Sequence, residues 1–204
     1  MIVKICGLRT EEAVRAAEAA GADLLGFIFY QGSRRYVAPE TVKRISTQVK
    51  RSKRVGVFVD APLAEVNEIA EFCSLDYVQL HGHEGADYAR QVARPVIKAY
   101  RYGDNFLAEE AEHYPSEMIL LDSFVQGTAG GTGKTFAWQE ASRETASLSK
   151  SLLVAGGISE QNLAQVVEAF HPYGVDVSGS LEKQGEKSVS LIKSFCKEAE
   201  RWRS

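Results

Sequence analysis

Short apolar runs rich in β-branched and aromatic residues recur along the chain, separated by longer amphipathic segments. Runs of this kind are typical of buried strands, so the pattern predicts eight strands. They are Ile2–Cys6, Leu24–Phe29, Val55–Val59, Tyr77–Leu80, Val96–Tyr100, Met118–Asp122, Leu152–Ala155 and Val175–Ser178.

The intervening segments carry apolar residues at helical spacing. After Ser159, apolar side chains between Leu163 and Phe170 recur three or four positions apart, with Ser159 as the predicted N-cap and Glu160 in the first turn. Comparable stripes predict helices after Thr10, after Pro39, after Pro62, within Asp104–Tyr114 and in the last segment around Ile192–Ala199.

Alternation of strands and helices implies parallel strands, because a parallel pair needs a crossover connection that is usually a helix. Eight such units favour an α/β fold with a single (β/α)8 (TIM) barrel domain spanning residues 1–204. An open doubly wound sheet is the competing fold. Its usual G-x-G-x-x-G sequence after the first strand is missing here, since Leu8, Arg9 and Thr10 follow Gly7.

Composition narrows the functional classes. With 25% charged and 45% hydrophobic residues the 204-residue chain is typical of globular proteins, and its net charge of −3 gives no general attraction for nucleic acid or anionic lipid. No apolar stretch resembles a membrane span or a signal peptide, so we expect a cytoplasmic protein. No exposed apolar helix face stands out, so we expect a monomer.

The three cysteines make no disulfide framework, and Cys73 and Cys196 lie on apolar helix stripes typical of a core.

Reactive side chains cluster where predicted strands end, which is where barrel active sites form. Cys6 ends the first strand, His81 follows the fourth, Asp122 ends the sixth, and Arg35 lies in the loop after the second. Strand alternation puts Lys4 on the same face as Cys6, so an interior ammonium would favour the thiolate. A plain core role for Cys6 stays open.

Asp122 admits two interpretations. It can order the glycine-rich loop that follows, or a carboxyl half shielded from water at a barrel mouth can retain its proton and act as an acid.

The segment Gly127–Thr135 is not a P-loop, because Thr128 stands where that motif needs glycine. We interpret it as a lid over the barrel mouth.

Two glycine-containing turns are suited to phosphate. Gly156 and Gly157 follow the seventh strand, and Ser178 and Gly179 stand at the end of the eighth. Backbone N–H groups of adjacent turns can converge on one phosphate at the usual barrel site, although plain tight turns would have the same sequence.

The run His81-Gly82-His83-Glu84 raises the question of a metal site, since imidazole is a common ligand. The glycines suggest that the strand has already ended, and no third ligand is evident. We therefore expect no metal, a hydrogen-bonding role for His81 and a solvent-exposed His83.

Taken in order, these motifs resemble the phosphoribosylanthranilate isomerase family over the range from Lys4 to about Glu182. The matching segments are Lys4–Leu8, Gly26–Tyr30, Ser33–Tyr36, Val55–Val59, Val78–Gly82, Leu121–Asp122, Gly130–Phe136, Ala155–Gly157 and Val175–Ser178. One departure is that Ser178-Gly179-Ser180 stands where the family commonly has Ser-Ser-Gly.

The resemblance implies a cofactor-free Amadori rearrangement of N-(5-phosphoribosyl)anthranilate, a phosphosugar, in tryptophan biosynthesis. By the family's pattern, Cys6 is the general base, Asp122 the general acid, and Arg35 the contact to the anthranilate carboxylate. The implied substrate-binding residues are Arg35, Gln79, His81, Gly156, Gly157, Ser178 and Gly179.

Two other functions remain open at the level of sequence. A metal-dependent phosphosugar epimerase would use His81, His83 and Asp122. A non-catalytic barrel would only bind a phosphorylated metabolite, but a thiol and a carboxyl at one barrel mouth speak against it.

Overall fold

The computed structural model describes residues 1–103, 106–122 and 133–203, with only the backbone described for residues 133–137. Eight parallel strands close into a barrel in chain order, and the first strand pairs with both the second and the eighth. The strands are β1 Ile2–Cys6, β2 Leu24–Ile28, β3 Lys53–Phe58, β4 Tyr77–Leu80, β5 Val96–Arg101, β6 Met118–Asp122, β7 Ser151–Ala155 and β8 Gly174–Val177. The predicted (β/α)8 fold is confirmed; β1, β4 and β6 have the predicted bounds, and the ends of the other strands differ from prediction by at most two residues.

Helices connect the strands and cover the barrel. They are α1 Glu11–Ala19, α2 Pro39–Ile45, α3 Leu63–Phe72, α4 Ala86–Ala89, α5 Ala108–His113, α6 Gly133–Thr145, α7 Leu163–Phe170 and α8 Val189–Ala199. Helix α1 begins as its sequence predicts, because the side chain of Thr10 accepts a hydrogen bond from the backbone N–H of Ala13 at 3.3 Å.

The start of α7 differs from prediction. Its N-cap is Asn162, not Ser159, and Glu160 lies in the turn before the helix. The Asn162 side chain accepts a hydrogen bond from the Ser159 N–H at 2.8 Å, and the Ser159 carbonyl accepts one from Leu163 at 3.0 Å. These bonds stabilise a separate turn, so the helix starts later.

Two apolar layers follow from strand alternation. Alternate strand residues point inward and fill the barrel with aliphatic side chains, which include Leu24, Val55, Ile97, Leu120 and Leu153. The intervening residues point outward and pack against the helices in a larger cluster. Cys73 and Cys196 are buried there, as expected.

The connection between β8 and α8 holds elements that no periodicity predicts. A 3₁₀ helix at Gly179–Leu181 leads into a two-stranded hairpin of β9 Glu182–Lys183 and β10 Glu186–Lys187. No helix among the described residues is long and apolar enough to cross a membrane.

Candidate active site

A cavity of about 590 Å³ opens at the carboxyl ends of the barrel strands. All the side chains and turns predicted for the site line it, namely Cys6, Arg35, Gln79, His81, Asp122, Gly156, Gly157, Ser178 and Gly179. Residues that are far apart in the sequence therefore share one concave surface, because parallel strands place their carboxyl ends on one face of the barrel.

The Cys6 side chain occupies space that Gly26 leaves open. The two residues are paired in the β1–β2 register, and a Cβ atom at Gly26 would lie 2.8 Å from the Cys6 sulfur and 3.0 Å from its Cα. Any larger residue at position 26 would therefore collide with the thiol. Gly26 is a site residue that the sequence did not reveal, although its segment belongs to the matched motifs.

Lys4 lies inside the barrel below Cys6 and is fully buried. Its Nζ contacts Asp176 Oδ2 at 2.7 Å. Burial alone would lower the pKa of the ammonium, but Asp176 and Cys6 together raise it. Burial raises the pKa of the Cys6 thiol, while Lys4 and Lys187 oppose that rise. Lys4 favours the thiolate, as the sequence predicts, but desolvation is the larger influence and leaves the pKa of the thiol raised overall.

His81 and Gln79 form a polar pair at one side of the cavity. The Gln79 Nε2 and His81 Nδ1 atoms are 3.0 Å apart. Burial lowers the pKa of His81, and Asp122 opposes this, so the imidazole is neutral at pH 7. Asp122 is thus near enough to act on His81 electrostatically.

Two buried oxygen atoms of cavity residues have no hydrogen-bond partner within the described part of the chain. They are Gln79 Oε1 and Asp176 Oδ1. Leaving a buried acceptor unsatisfied costs about 1–3 kcal/mol, so both atoms point to a ligand or solvent donor. Asp176 was missed as a site residue, although a carboxyl between Val175 and Val177 in a buried strand was a signal for it.

Arg35 reaches the cavity rim and pairs with Glu182 on β9. The Nε and Nη2 atoms of Arg35 lie 2.5 and 3.1 Å from the two carboxylate oxygens. Lys187 on β10 contacts Glu182 at 2.8 Å and the Ser178 carbonyl at 3.1 Å. Sequence reasoning did not find Glu182 or Lys187, because they lie on a short hairpin with no strand pattern of its own.

The two glycine turns meet at the rim of the cavity. Gly156 and Gly157 have φ of 98° and 65°, a region that favours glycine. The backbone N–H groups of Gly157, Gly179 and Ser180 make no hydrogen bond to other described residues. Unpaired N–H groups in adjacent turns suit an anion.

The residues considered for a metal site separate in the structure. The side chain of His83 is 95% exposed and faces Asp60, whereas Glu84 is buried against Lys98 at 2.9 Å. Of the residues considered, His81 and Asp122 line the cavity, whereas His83 and Glu84 are not among its described lining residues. Among the described residues, no group of three or more His, Cys, Asp or Glu side chains could hold a metal ion. The predicted lid, Gly127–Thr135, lies outside the described residues except for the backbone of its last three.

The fold and the site together indicate the class of protein. A (β/α)8 barrel with reactive side chains at its carboxyl mouth and open glycine turns after β7 and β8 is typical of enzymes that act on phosphorylated metabolites.

Comparison with known proteins narrows the class to a family. The model of N-(5'-phosphoribosyl)anthranilate isomerase matches residues 3–198, so the chain belongs to this family. The isomerase of Desulforamulus reducens is 44% identical over 196 residues, covering 96% of this chain and 93% of the relative.

Solved structures of phosphoribosylanthranilate isomerases are also similar to this chain. The phosphoribosylanthranilate isomerase of Thermotoga maritima is 35% identical with a TM-score of 0.88, covering 98% of this chain and 100% of that one. Another structure of such an isomerase, in complex with reduced 1-(o-carboxyphenylamino)-1-deoxyribulose 5-phosphate, is 33% identical with a TM-score of 0.85, covering 98% and 100%.

Proposed function

We propose that the protein converts N-(5-phosphoribosyl)anthranilate into 1-(2-carboxyphenylamino)-1-deoxyribulose 5-phosphate, the Amadori rearrangement of tryptophan biosynthesis. The observation that carries the proposal is that one cavity holds Cys6, Asp122, a guanidinium and two open glycine turns. Membership of the isomerase family supports the same reaction.

The reaction needs an acid and a base. In the proposed mechanism the Asp122 carboxyl donates a proton to the furanose ring oxygen, and the C1–O bond breaks to give an iminium ion. The Cys6 thiolate then removes the proton from C2 to give an enaminol. This tautomerises to the ketone as the C2 hydroxyl loses its proton and C1 gains one. Cys6 on β1 and Asp122 on β6 enter the cavity from different sides of the barrel.

Charged ends of the substrate orient it. We assign the phosphate to the N–H groups of the turns at Gly156–Gly157 and Ser178–Gly179, and the anthranilate carboxylate to Arg35. A contact through the backbone survives the exchange of glycine and serine at positions 179 and 180.

The sugar lies between these ends in this arrangement. Its hydroxyl groups are donors, and the unsatisfied oxygens of Gln79 and Asp176 are acceptors in the same cavity. We propose that these oxygens take sugar hydroxyls, with His81 beside them. We further propose that residues 1–204 act as one domain, which the single closed barrel supports, and that the protein is a cytoplasmic monomer.

The direct test is to supply phosphoribosylanthranilate to metal-free protein and to follow its conversion into the ketose product. Turnover that is unchanged by a chelator supports the proposal. Turnover that is lost on chelation and restored by a divalent cation would support the metal-dependent epimerase class instead. Binding without turnover would indicate a non-catalytic barrel.

The assigned roles predict the behaviour of two variants. Cys6→Ala and Asp122→Asn should each lower kcat by about 10²–10⁴-fold, because each removes one proton-transfer group. The circular dichroism spectrum and inorganic phosphate binding should stay near those of the wild type. Near-normal turnover in either variant would contradict the mechanism.

A further inference from the structure

The Arg35 guanidinium is held along one edge. Its Nε and Nη2 atoms face the two oxygens of Glu182 at 2.5 and 3.1 Å, which is a bidentate arrangement. Such an arrangement fixes the plane of the guanidinium as well as its position.

Glu182 is itself held in place. Its side chain is 7% exposed, and it also accepts hydrogen bonds from Lys187 Nζ at 2.8 Å and Arg34 Nη2 at 2.9 Å. Burial alone would raise the pKa of Glu182, but the hydrogen bonds from Arg35 and Lys187 lower it to about 2. The carboxylate is therefore ionised at any pH at which the protein would work.

The other edge of the guanidinium is available. Arginine has donors on two edges, and Glu182 uses the one formed by Nε and Nη2. The Nη1 group of Arg35 makes no hydrogen bond to any part of the chain that the structure describes, and Arg35 lines the cavity. A ligand carboxylate can thus bind Arg35 without displacing Glu182.

We propose that Glu182 is a positioning residue, which holds Arg35 so that its remaining edge takes the carboxylate of the substrate. This inference rests on the proposed function, which assigns that carboxylate to Arg35. Glu182 acts through Arg35 and does not itself touch the substrate.

Glu182 affects the binding of a substrate carboxylate to Arg35 in two opposite ways. Its negative charge weakens the attraction between Arg35 and a second carboxylate, so removal of the charge alone would tighten binding. Its hydrogen bonds fix the orientation of the guanidinium, so their loss weakens binding. Three cations, Arg34, Arg35 and Lys187, surround this one carboxylate, so their charges already exceed its own. We therefore expect the loss of orientation to be the larger effect.

The test compares Glu182→Gln with Glu186→Gln. Both change a carboxylate to an amide on the same hairpin, but Glu186 is 61% exposed and pairs with Arg9. Arg35 donates from Nε to one oxygen of Glu182 and from Nη2 to the other, and an amide has an acceptor oxygen at only one of these positions, so Glu182→Gln breaks the bidentate arrangement. Glu182→Gln should raise KM for phosphoribosylanthranilate about tenfold, as expected for a weakened charge-assisted hydrogen bond, with kcat within about twofold. Glu186→Gln should leave both constants unchanged.

A substrate without the carboxylate separates positioning from general damage to the site. The phosphoribosyl derivative of aniline presents nothing to Arg35, so Glu182→Gln should leave its KM unchanged. An equal rise in KM for both substrates would mean that Glu182 only supports the cavity, and a lowered or unchanged KM for phosphoribosylanthranilate would mean that it competes with the substrate or plays no part. Each result would overturn the inference. Absence of turnover by the wild-type protein would instead overturn the proposed function.

Discussion

Gly26 shows how one missing side chain can shape a reactive group. A Cβ atom there would lie 2.8 Å from the Cys6 sulfur, closer than a Cβ atom comes to a non-bonded heavy atom. Gly26→Ala should therefore displace the thiol and lower kcat by at least about tenfold, since small misplacements at a reacting group are costly. The free energy of unfolding should fall by only about 1–3 kcal/mol, as is usual for overpacking.

Gly85→Ala is the matched control, because among the described residues no heavy atom beyond the two flanking ones lies within 4 Å of a Cβ at that position, and its φ of −79° suits alanine. Steady-state kinetics and urea unfolding of both variants check the prediction. Equal kinetic effects at the two positions would contradict it.

The protonation of Cys6 predicts a pH dependence. Burial raises the pKa of the thiol above its ordinary value of about 8.5, so most of the free protein carries the inactive thiol at neutral pH. If Cys6 is the base, kcat/KM should still rise with pH above about 8.5. Kinetics between pH 6 and 10 check this, and a plateau that begins below pH 8 would contradict it.

At the residue level the sequence indicates groups at strand ends but not their partners. Cys6, His81 and Asp122 were predicted because barrel geometry gives strand ends a known location. Glu182 contacts Arg35 from 147 positions away, and Lys187 contacts Ser178 through the turn of the hairpin, so only the folded chain brings these groups together. The sequence likewise indicated the effect of Lys4 on Cys6 but not the larger effect of burial, which raises the pKa of the thiol.

A buried ion pair supports the connection that follows His81. Lys98 on β5 contacts Glu84 Oε2 at 2.9 Å and the Gly82 carbonyl at 2.7 Å. Glu84 also accepts hydrogen bonds from the backbone N–H groups of Asp60 and Gly82 at 2.9 and 3.0 Å. One carboxylate thus joins the loops after β3 and β4.

Lys98→Met should lower the free energy of unfolding by about 3–5 kcal/mol, because it leaves the Glu84 charge buried without its partner. Adding Glu84→Gln should recover part of this loss. Lys53→Met, which removes a partly exposed pair with Asp76, should cost less than about 1 kcal/mol. Urea unfolding of the variants checks the prediction, and similar costs for Lys98→Met and Lys53→Met would contradict it.

At the level of elements the strands were predictable and the connections less so. Each strand is a run of apolar residues whose burial does not depend on distant details. The hairpin Glu182–Lys187 is polar, and helix α4 has only four residues, so neither carries a periodic signal. The turn before α7 depends on the Asn162 side chain, which competes with the expected cap at Ser159.

The whole molecule should lose stability in acid. Glu182 has its pKa lowered to about 2, and so does Glu18, whose burial is outweighed by hydrogen bonds from Ser52 and from the backbone of Arg51 and Lys50. In the unfolded chain both groups titrate near 4.5. Between these values the unfolded state binds protons that the native state does not, so stability is present above pH 4.5 and falls as the pH decreases toward 2.

Because both sites are partly reached by solvent, the two groups together should contribute a few kcal/mol. Thermal unfolding from pH 7 to pH 3 measures how steeply stability falls with decreasing pH. This dependence should be shallower in Glu18→Gln and in Glu182→Gln but unchanged in Glu186→Gln. An unchanged slope in both of the first two variants would contradict the prediction.

The contact between Lys4 and Asp176 joins the first strand to the last across 172 positions of sequence. Contacts with such separation form late in folding, because a long loop must close first. Asp176, the turn at Ser178 and the hairpin that holds Arg35 all arrive with the last strand. A chain folded only through β7 would have its thiol and its acid but neither the carboxylate below them nor half of the phosphate site. Catalytic activity would therefore appear only once the pairing of β1 and β8 closes the barrel. During refolding, its recovery should follow the slowest phase in the recovery of structure.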